Sequence, residues 1–212
     1  MGRLENFKTR GRNKENRKRK SLVVIGCEGN NKTEEIYFKN YNSKDCMIKF
    51  SKGNSTDPVG IVNDVVKFIK NEIGKEDEDK YYVVFDTDIN KGLQSEINKA
   101  KEIAKKNNIE IITSTPSFEI WFRLHFGYTA KLYNSGDDLI NDLGGKIKGY
   151  KKNVDVYSII GRKTDEAIKN AKKLEKHHLE LGRVLGNDIC NPYTGTYKVV
   201  EELIKRNKKS DI

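Results

Sequence analysis

The sequence has no long hydrophobic run, and this absence excludes several classes of protein. None of its apolar stretches approaches the roughly 18 consecutive residues that a membrane-spanning helix needs, and its charged N-terminus lacks the apolar segment of a secretory signal. It also has little cysteine: Cys27, Cys46 and Cys190 are widely separated and form no CxxC pair. Scattered thiols in odd number, without an export signal, indicate a reducing compartment. We therefore expect a cytoplasmic protein.

The composition is polar but still compatible with a folded domain. Hydrophobic residues make up 35% and charged residues 34% of the 212 residues, yet the apolar residues are grouped into distinct short runs. This length suits one α/β domain with some elaboration. The chain has no internal repeat and no clear linker, so we expect residues 21–212 to form a single domain.

The first 20 residues differ from the rest of the chain in charge. They hold nine Lys and Arg residues against two Glu residues, and so carry +7 of the net charge of +10. Because they show no apolar periodicity, residues 1–20 are expected to be a disordered basic tail. Two interpretations stay open for this tail, which either binds nucleic-acid phosphates non-specifically or is a solvated leader.

Short apolar runs alternate with helical patterns along the first 126 residues. Strands are predicted at residues 22–25, 47–50, 81–85 and 109–112. Helices are predicted to begin near Thr33 as an N-cap, near Pro58 as a first helical residue, and near Leu93 and Pro116. Further helices are predicted at residues 137–143, 158–181 and 193–206. This order predicts an α/β fold with a mainly parallel central sheet flanked by helices, followed by a helical C-terminal part.

Acidic residues follow two of the predicted strands. Glu28 comes after the first strand, and Asp86 and Asp88 come after the third. Catalytic groups collect beyond the carboxyl ends of parallel strands, and side chains two apart in an extended segment point to the same side. Carboxylate oxygens are the ligands that Mg²⁺ prefers. These three residues are therefore candidate metal ligands, although each could also be a solvated turn residue or a helix cap.

The segment between Gly26 and Thr33 offers a competing interpretation. It has the spacing of a P-loop, GxxxxGK[ST], between a strand and a helix, and Lys32 and Thr33 stand in place. Two features argue against nucleotide binding. Asn31 replaces the glycine before the lysine, and Glu28 would put a negative charge into a loop meant to hold a triphosphate.

A third segment, residues 114–126, is rich in aromatic residues and contains the only tryptophan. Its helical spacing places Trp121 on a core-facing side and predicts a structural role for His125. Glu119 is either a solvated residue at the start of this helix or a further acidic group beside Asp86. The adjacent His177 and His178 have no metal-ligand partner at suitable spacing, so both are predicted to lie on the surface.

Four motifs occur in a characteristic order. They are Cys27-Glu28-Gly29 with Lys32-Thr33-Glu34 and Tyr37-Phe38, then Asp86-Thr87-Asp88, then Ser114-Thr115-Pro116-Ser117-Phe118-Glu119 with Trp121 and Leu124-His125-Phe126, and finally Asn191-Pro192-Tyr193-Thr194. Together they resemble the RloB-like family, which includes the AbiLii-type abortive-infection proteins. The resemblance implies a Toprim-like fold in which Glu28, Asp86 and Asp88 bind Mg²⁺, with Glu119 in the family's Phe-Glu motif. It also implies a role in bacterial defence against phage, often beside an ATPase encoded nearby.

The leading functional hypothesis is therefore a nuclease that depends on Mg²⁺ or Mn²⁺ and hydrolyses DNA, RNA or tRNA. Asp86 and Asp88 would hold the ion, Glu28 would complete the coordination or act as general base, and Glu119 would assist a second ion or orient water. Candidate phosphate-binding residues are Lys32, Arg123, Arg162 and Lys163. Two other hypotheses stay open, namely an NTPase built on the degenerate P-loop and a non-catalytic module that binds nucleic acid or a partner. An ATPase partner is expected to control the chain, with residues 158–206 as its docking surface.

Overall fold

The protein is described by a computed structural model over residues 21–29, 32–73, 77–87 and 92–208. Three of the sequence-based predictions fall outside these residues. They concern the basic tail 1–20, Asn31 in the segment with P-loop spacing, and Asp88.

A five-stranded sheet forms the centre of the described part. Its strands are β1 (Leu22–Gly26), β2 (Met47–Phe50), β3 (Lys80–Asp86), β4 (Ile109–Thr115) and β5 (Tyr193–Thr194). The strand order is β2-β1-β3-β4-β5. The first four strands pair in parallel, whereas β5 is antiparallel to β4. The predicted α/β class and mainly parallel sheet are confirmed; β5 was not predicted, because two residues are too few to show an alternating pattern.

Three helices connect the parallel strands. They are α1 (Thr33–Lys39), α2 (Pro58–Phe68), which continues as a π-helical turn over Ile69–Ile73, and α3 (Gln94–Lys106). Asp57 caps α2 by accepting a hydrogen bond from the Gly60 amide at 2.8 Å, and Pro58 stands at the first helical position as predicted. The prediction that Thr33 caps α1 was wrong. Thr33 is the first residue of α1, and its hydroxyl accepts a hydrogen bond from the backbone amide of Asn153, which is distant in the sequence.

The second half of the described chain is mainly helical, as predicted. Its helices are α4 (Glu119–Leu124), α5 (Gly136–Gly144), α6 (Tyr157–Ile160), α7 (Thr164–Glu180) and α8 (Thr196–Lys208). Helix α4 begins three residues later than predicted, since β4 extends to Thr115. The predicted helix 158–181 is divided by a 3₁₀ turn at Gly161–Lys163, and the helix predicted from residue 193 begins at Thr196. In the part of the chain that the structure describes, no helix has both the length and the apolar character to cross a bilayer.

The buried histidines differ in how well the sequence predicted them. His125 is buried as expected, its Nδ1 lies 2.9 Å from the Trp121 carbonyl oxygen, and burial lowers its pKa to about 4. The prediction that His178 lies on the surface was wrong. His178 is buried, and its Nε2 donates to the Pro192 carbonyl at 2.7 Å. It holds α7 against the segment that leads into β5, so its role is structural.

The sheet separates two hydrophobic cores. Val23 and Ile25 of β1 face a core shared with α1, α4, α7 and α8. Leu22 and Val24 face the opposite core, which α2 and α3 cover. Because α1 and α2 lie on opposite faces and β1 is flanked by β2 and β3, the strand order reverses between β1 and β3. Ligands of such folds bind beyond the carboxyl ends of the strands at the switch point, and the candidate site lies at that point.

Candidate functional site

Carboxyl groups from four structural elements gather at the switch point. Asp86 is the last residue of β3, and Glu28 lies two residues after β1. Glu34 stands in the first turn of α1, and Glu119 is the first residue of α4. The charges of Glu34, Glu119 and Glu28 all act on Asp86. We call these four residues the carboxylate cluster. The structure thus brings together three of the four predicted catalytic residues and adds Glu34.

Asp86 lies at the centre of this cluster. Burial raises the pKa of its carboxyl group well above the usual value, and the charges of Glu34, Glu119 and Glu28 raise it further. Its Oδ1 atom is inaccessible to solvent, and no hydrogen-bond donor within the described residues reaches that atom. A buried carboxylate oxygen without a donor is costly for the folded state. Such an oxygen is well suited to a cation.

Glu34 is buried more completely, with a relative exposure of 1%. Burial is the largest cause that raises its pKa, which reaches about 8. A backbone hydrogen bond opposes this shift, while the charges of Glu119 and Glu28 add to it and that of Lys152 lowers it. Glu34 therefore carries a proton over much of the neutral range when no further positive charge is present.

The Glu119 carboxylate is held by two hydroxyl groups. Ser117 Oγ donates to its Oε2 at 2.7 Å, and the Tyr150 hydroxyl donates to its Oε1 at 3.2 Å. All three side chains are buried. The Ser117-Phe118-Glu119 motif is thereby explained locally, because its first residue orients its third. Glu119 is fixed in direction and does not depend on solvent for its hydrogen bonds.

The cluster has the right chemistry for a hard divalent cation, since it consists of carboxylate oxygens and includes the buried Asp86 Oδ1. Over the described ranges, however, no three His, Cys, Asp or Glu side chains are arranged as a ready-made metal site. The predicted ligand set included Asp88, which lies outside those ranges. The metal assignment therefore stays a proposal.

Two backbone amides of the loop that resembles a P-loop are engaged elsewhere. The Gly29 amide donates to the Ser55 carbonyl at 3.0 Å, and the Lys32 amide donates to Asn153 Oδ1 at 3.0 Å. Gly29 also packs closely: a Cβ atom there would lie 2.5 Å from the Asn54 Cα. A phosphate-binding nest needs several free amides that point at one anion. These contacts and the adjacent carboxylates argue against a triphosphate in this loop.

The four predicted phosphate-binding residues occupy different settings. Arg123 Nε lies 2.7 Å from Asp142 Oδ2, and its guanidinium also donates to the Gly127 carbonyl, so this side chain links α4 to α5. Lys163 Nζ lies over the Phe126 ring, 4.8 Å from its centre. Exposed Lys32 and Arg162 remain candidates for contact with a substrate. We leave Arg123 out of the site because a phosphate would have to break its internal ion pair.

Sequence reasoning missed Glu34 and residues 150–153. Glu34 has the helical spacing of Tyr37, Phe38 and Tyr41, all of which are buried, and that spacing could have placed it on the core-facing side. No comparable signal marks residues 150–153. Their contacts with α1 join parts of the chain about 120 residues apart.

The fold and the cluster define a class, a doubly wound α/β protein with carboxyl groups gathered at its switch point. The chain belongs to the RloB-like family, because the family model described as RloB-like protein matches residues 23–203. That range runs from β1 into α8 and confirms the resemblance drawn from the four sequence motifs. No curated protein and no solved structure matches the chain.

Proposed function

We propose that this RloB-like protein is a nuclease that depends on Mg²⁺ or Mn²⁺ and hydrolyses nucleic-acid phosphodiesters in bacterial defence against phage. The observation that carries the proposal is the carboxylate cluster, in which burial and mutual repulsion raise the pKa of both Asp86 and Glu34. Membership of the family adds support, because the family resemblance is to abortive-infection proteins.

The cluster is electrostatically incomplete without added positive charge. Several carboxylates that share a buried site must either bind protons or be offset by a cation. Lys152 supplies only partial compensation, since the pKa values of Asp86 and Glu34 stay raised despite it. A divalent cation would replace the protons and favour the ionised forms of Asp86 and Glu34 at neutral pH.

The side chains suggest distinct roles in phosphodiester hydrolysis. Asp86, with Asp88 and Glu28, would hold the cation, and Glu34 would contribute a further oxygen. When bound, a divalent cation supplies positive charge to a phosphoryl transition state and makes water a better nucleophile. Glu119, which accepts hydrogen bonds from Ser117 and Tyr150, would orient the attacking water. Glu28, half-buried after β1, is the candidate general base.

The structure argues against one of the two competing hypotheses, the NTPase, and leaves the other, the non-catalytic binding module, open. The engaged amides of Gly29 and Lys32 argue against an NTPase with a degenerate P-loop. A non-catalytic module that binds nucleic acid or a partner is the second candidate, because exposed basic residues such as Lys32 and Arg162 would bind a polyanion without any reaction. Cleavage assays separate this candidate from the nuclease.

The test is a cleavage assay on DNA, total RNA and tRNA, with Mg²⁺, Mn²⁺ or EDTA. Wild type and Asp57→Asn should cleave at least one substrate when metal is present, whereas Asp86→Asn should not. Asp57→Asn is the matched control, because Asn also caps helices well and Asp57 stands at the start of α2. Binding without cleavage in all three proteins would support the binding module instead. Cleavage that persists in EDTA would contradict the metal dependence.

We also propose that an ATPase partner controls the protein through residues 158–206. Five large apolar side chains in this region are at least half exposed: Ile159, Leu179, Leu181, Val184 and Ile189. Exposed apolar groups of this kind are common where another protein docks. Expression of the chain alone in bacteria provides the test. Strong toxicity that Asp86→Ala abolishes, together with rapid unaided turnover by the purified protein, would contradict partner control.

A further inference from the structure

We propose that residues 145–153, which we call the lysine segment, bind the phosphodiester backbone of a nucleic acid beside the carboxylate cluster. This inference rests on the proposed nuclease function and names the element that brings the substrate to the site. The segment connects α5 to α6 and carries four exposed lysines, Lys146, Lys148, Lys151 and Lys152.

Tyr150, within the lysine segment, is anchored on α4, the helix that carries Glu119. Ile147 and Tyr150 are buried, and the Tyr150 ring packs edge-on against Phe122 of α4 at a centroid distance of 6.1 Å. The Tyr150 hydroxyl donates to Glu119 Oε1 at 3.2 Å. The backbone at residue 150 is thereby held against α4.

Asn153, the last residue of the lysine segment, is anchored at the start of α1, the helix that carries Glu34. The Asn153 amide donates to Thr33 Oγ1 at 3.1 Å, and Asn153 Oδ1 accepts a hydrogen bond from the Lys32 amide at 3.0 Å. Asn153 has a φ of 63°, a left-handed conformation that asparagine tolerates better than most residues. The segment therefore runs from α4 to the start of α1, next to Glu34.

Lys152 lies between these two anchors, and its charge acts on the cluster. It lowers the pKa of both Asp86 and Glu34. Many lysines elsewhere form ion pairs, including Lys39, Lys52 and Lys172. Within the described ranges, the four lysines of the segment form no such pair.

Charge complementarity identifies the occupant as a phosphodiester backbone. The carboxylate cluster by itself repels a polyanion, so a nucleic acid needs adjacent cations to approach it. A short row of exposed lysines contacts phosphates whatever the base sequence. Because Lys151 and Lys152 lie between the anchors at Tyr150 and Asn153, a backbone bound to them would lie next to the cluster.

The test measures binding of DNA and RNA oligonucleotides by the full chain in EDTA across a salt series. The variant is Lys151→Gln with Lys152→Gln, and the matched control is Lys67→Gln with Lys105→Gln. The control removes the same charge from exposed positions on α2 and α3. The segment variant should bind about 10-fold more weakly, and its salt slope should be shallower by about 0.7 per lost contact for single strands or 0.9 for duplexes. The control should keep the wild-type slope, and Lys151→Arg with Lys152→Arg should restore it.

An unchanged slope in the segment variant, an equal loss in the control, or no measurable binding by wild type would overturn the inference. The nuclease proposal fails separately, since it is judged by cleavage in Mg²⁺ or Mn²⁺. A protein that binds through the lysine segment but does not cleave would keep this inference and lose the nuclease. If the protein cleaves but its binding is unchanged by the loss of these lysines, the nuclease proposal is kept and this inference is lost.

Discussion

Glu34 in the first turn of α1 lies close enough to Asp86 at the end of β3 for its charge to raise the pKa of Asp86. Glu28 and Glu119 act on the same carboxyl group. In an ordinary protein core, such an arrangement costs stability and serves no packing purpose. Its position at the switch point of the sheet favours a functional reason for it, and the following predictions test that reason.

Asp86→Asn should abolish cleavage without unfolding the protein. Asparagine keeps the size of the side chain but loses the anionic oxygen, and an interaction with a cation that is worth several kcal/mol corresponds to a rate loss of about 100-fold or more. Cleavage assays and thermal melting of wild type, Asp86→Asn and Asp57→Asn provide the comparison. Normal cleavage by Asp86→Asn and by Glu28→Gln would mean that the site assignment is wrong.

Glu34→Gln should stabilise the metal-free protein at about pH 8 and flatten its pH dependence. The pKa of Glu34 rises from 4.5 to about 8 on folding. Below pH 4.5 both states hold the proton, whereas between about 4.5 and 8 the unfolded chain releases it first, so the stability of the wild type falls as pH rises. Because glutamine does not titrate, the variant does not lose stability in this way as pH rises. The measurement is the melting temperature from pH 4 to about 9 in EDTA.

Glu35→Gln is the matched control for that experiment. Its carboxylate forms an ion pair with Lys39 at 2.6 Å on the outer side of the same helix, where a charge change should have only a small effect. If Glu34→Gln and Glu35→Gln showed the same melting temperatures as wild type at every pH, then Glu34 would not be held in a strongly perturbed state.

Divalent cations should raise the melting temperature of the wild type, and more at pH 8 than at pH 6. The carboxyl groups of Asp86 and Glu34 must lose protons to bind a cation, so protons compete with the metal at lower pH. Thermal-shift titrations with Mg²⁺ and Mn²⁺ measure this. Asp86→Asn should lose the shift. A metal effect of equal size in Asp86→Asn would indicate binding elsewhere on the molecule.

Gly29→Ala should destabilise the protein and lower its cleavage rate. A Cβ atom at residue 29 would lie 2.5 Å from the Asn54 Cα, so the loop that carries Glu28 must move. Overpacking of this kind costs about 1–3 kcal/mol. Gly144→Ala is the control, because a Cβ there meets nothing within 4 Å and alanine favours a helix. Equal melting temperatures and rates for both variants would contradict the close packing of Gly29.

Removal of residues 1–20 should weaken nucleic-acid binding and change the melting temperature little. These residues carry +7 of the net charge of +10 and have no periodic apolar residues. The dependence of the binding constant on salt should therefore become shallower after truncation. An identical slope would show that the tail makes no phosphate contacts and is a solvated leader.

The sequence by itself determined the order of the four parallel strands and of the helices between them, and it showed that Glu28 and Asp86 follow two of those strands. Buried strands appear as continuous apolar runs, and the residue that follows a run must lie at the sheet edge, so local pattern suffices for both. The four family motifs could also be identified from the sequence, and the family match over residues 23–203 confirmed the resemblance based on them.

Only the tertiary structure decided which side chains gather at the switch point. The raised pKa of Glu34, the hydroxyl contact from Tyr150 to Glu119, and the placement of Lys152 through Asn153 depend on contacts between residues far apart in the chain. The internal ion pair of Arg123 with Asp142 and the burial of His178 depend on them too. A charged or polar side chain carries no periodic signal of its own, and its exposure and its pKa are set by whichever distant elements pack against it.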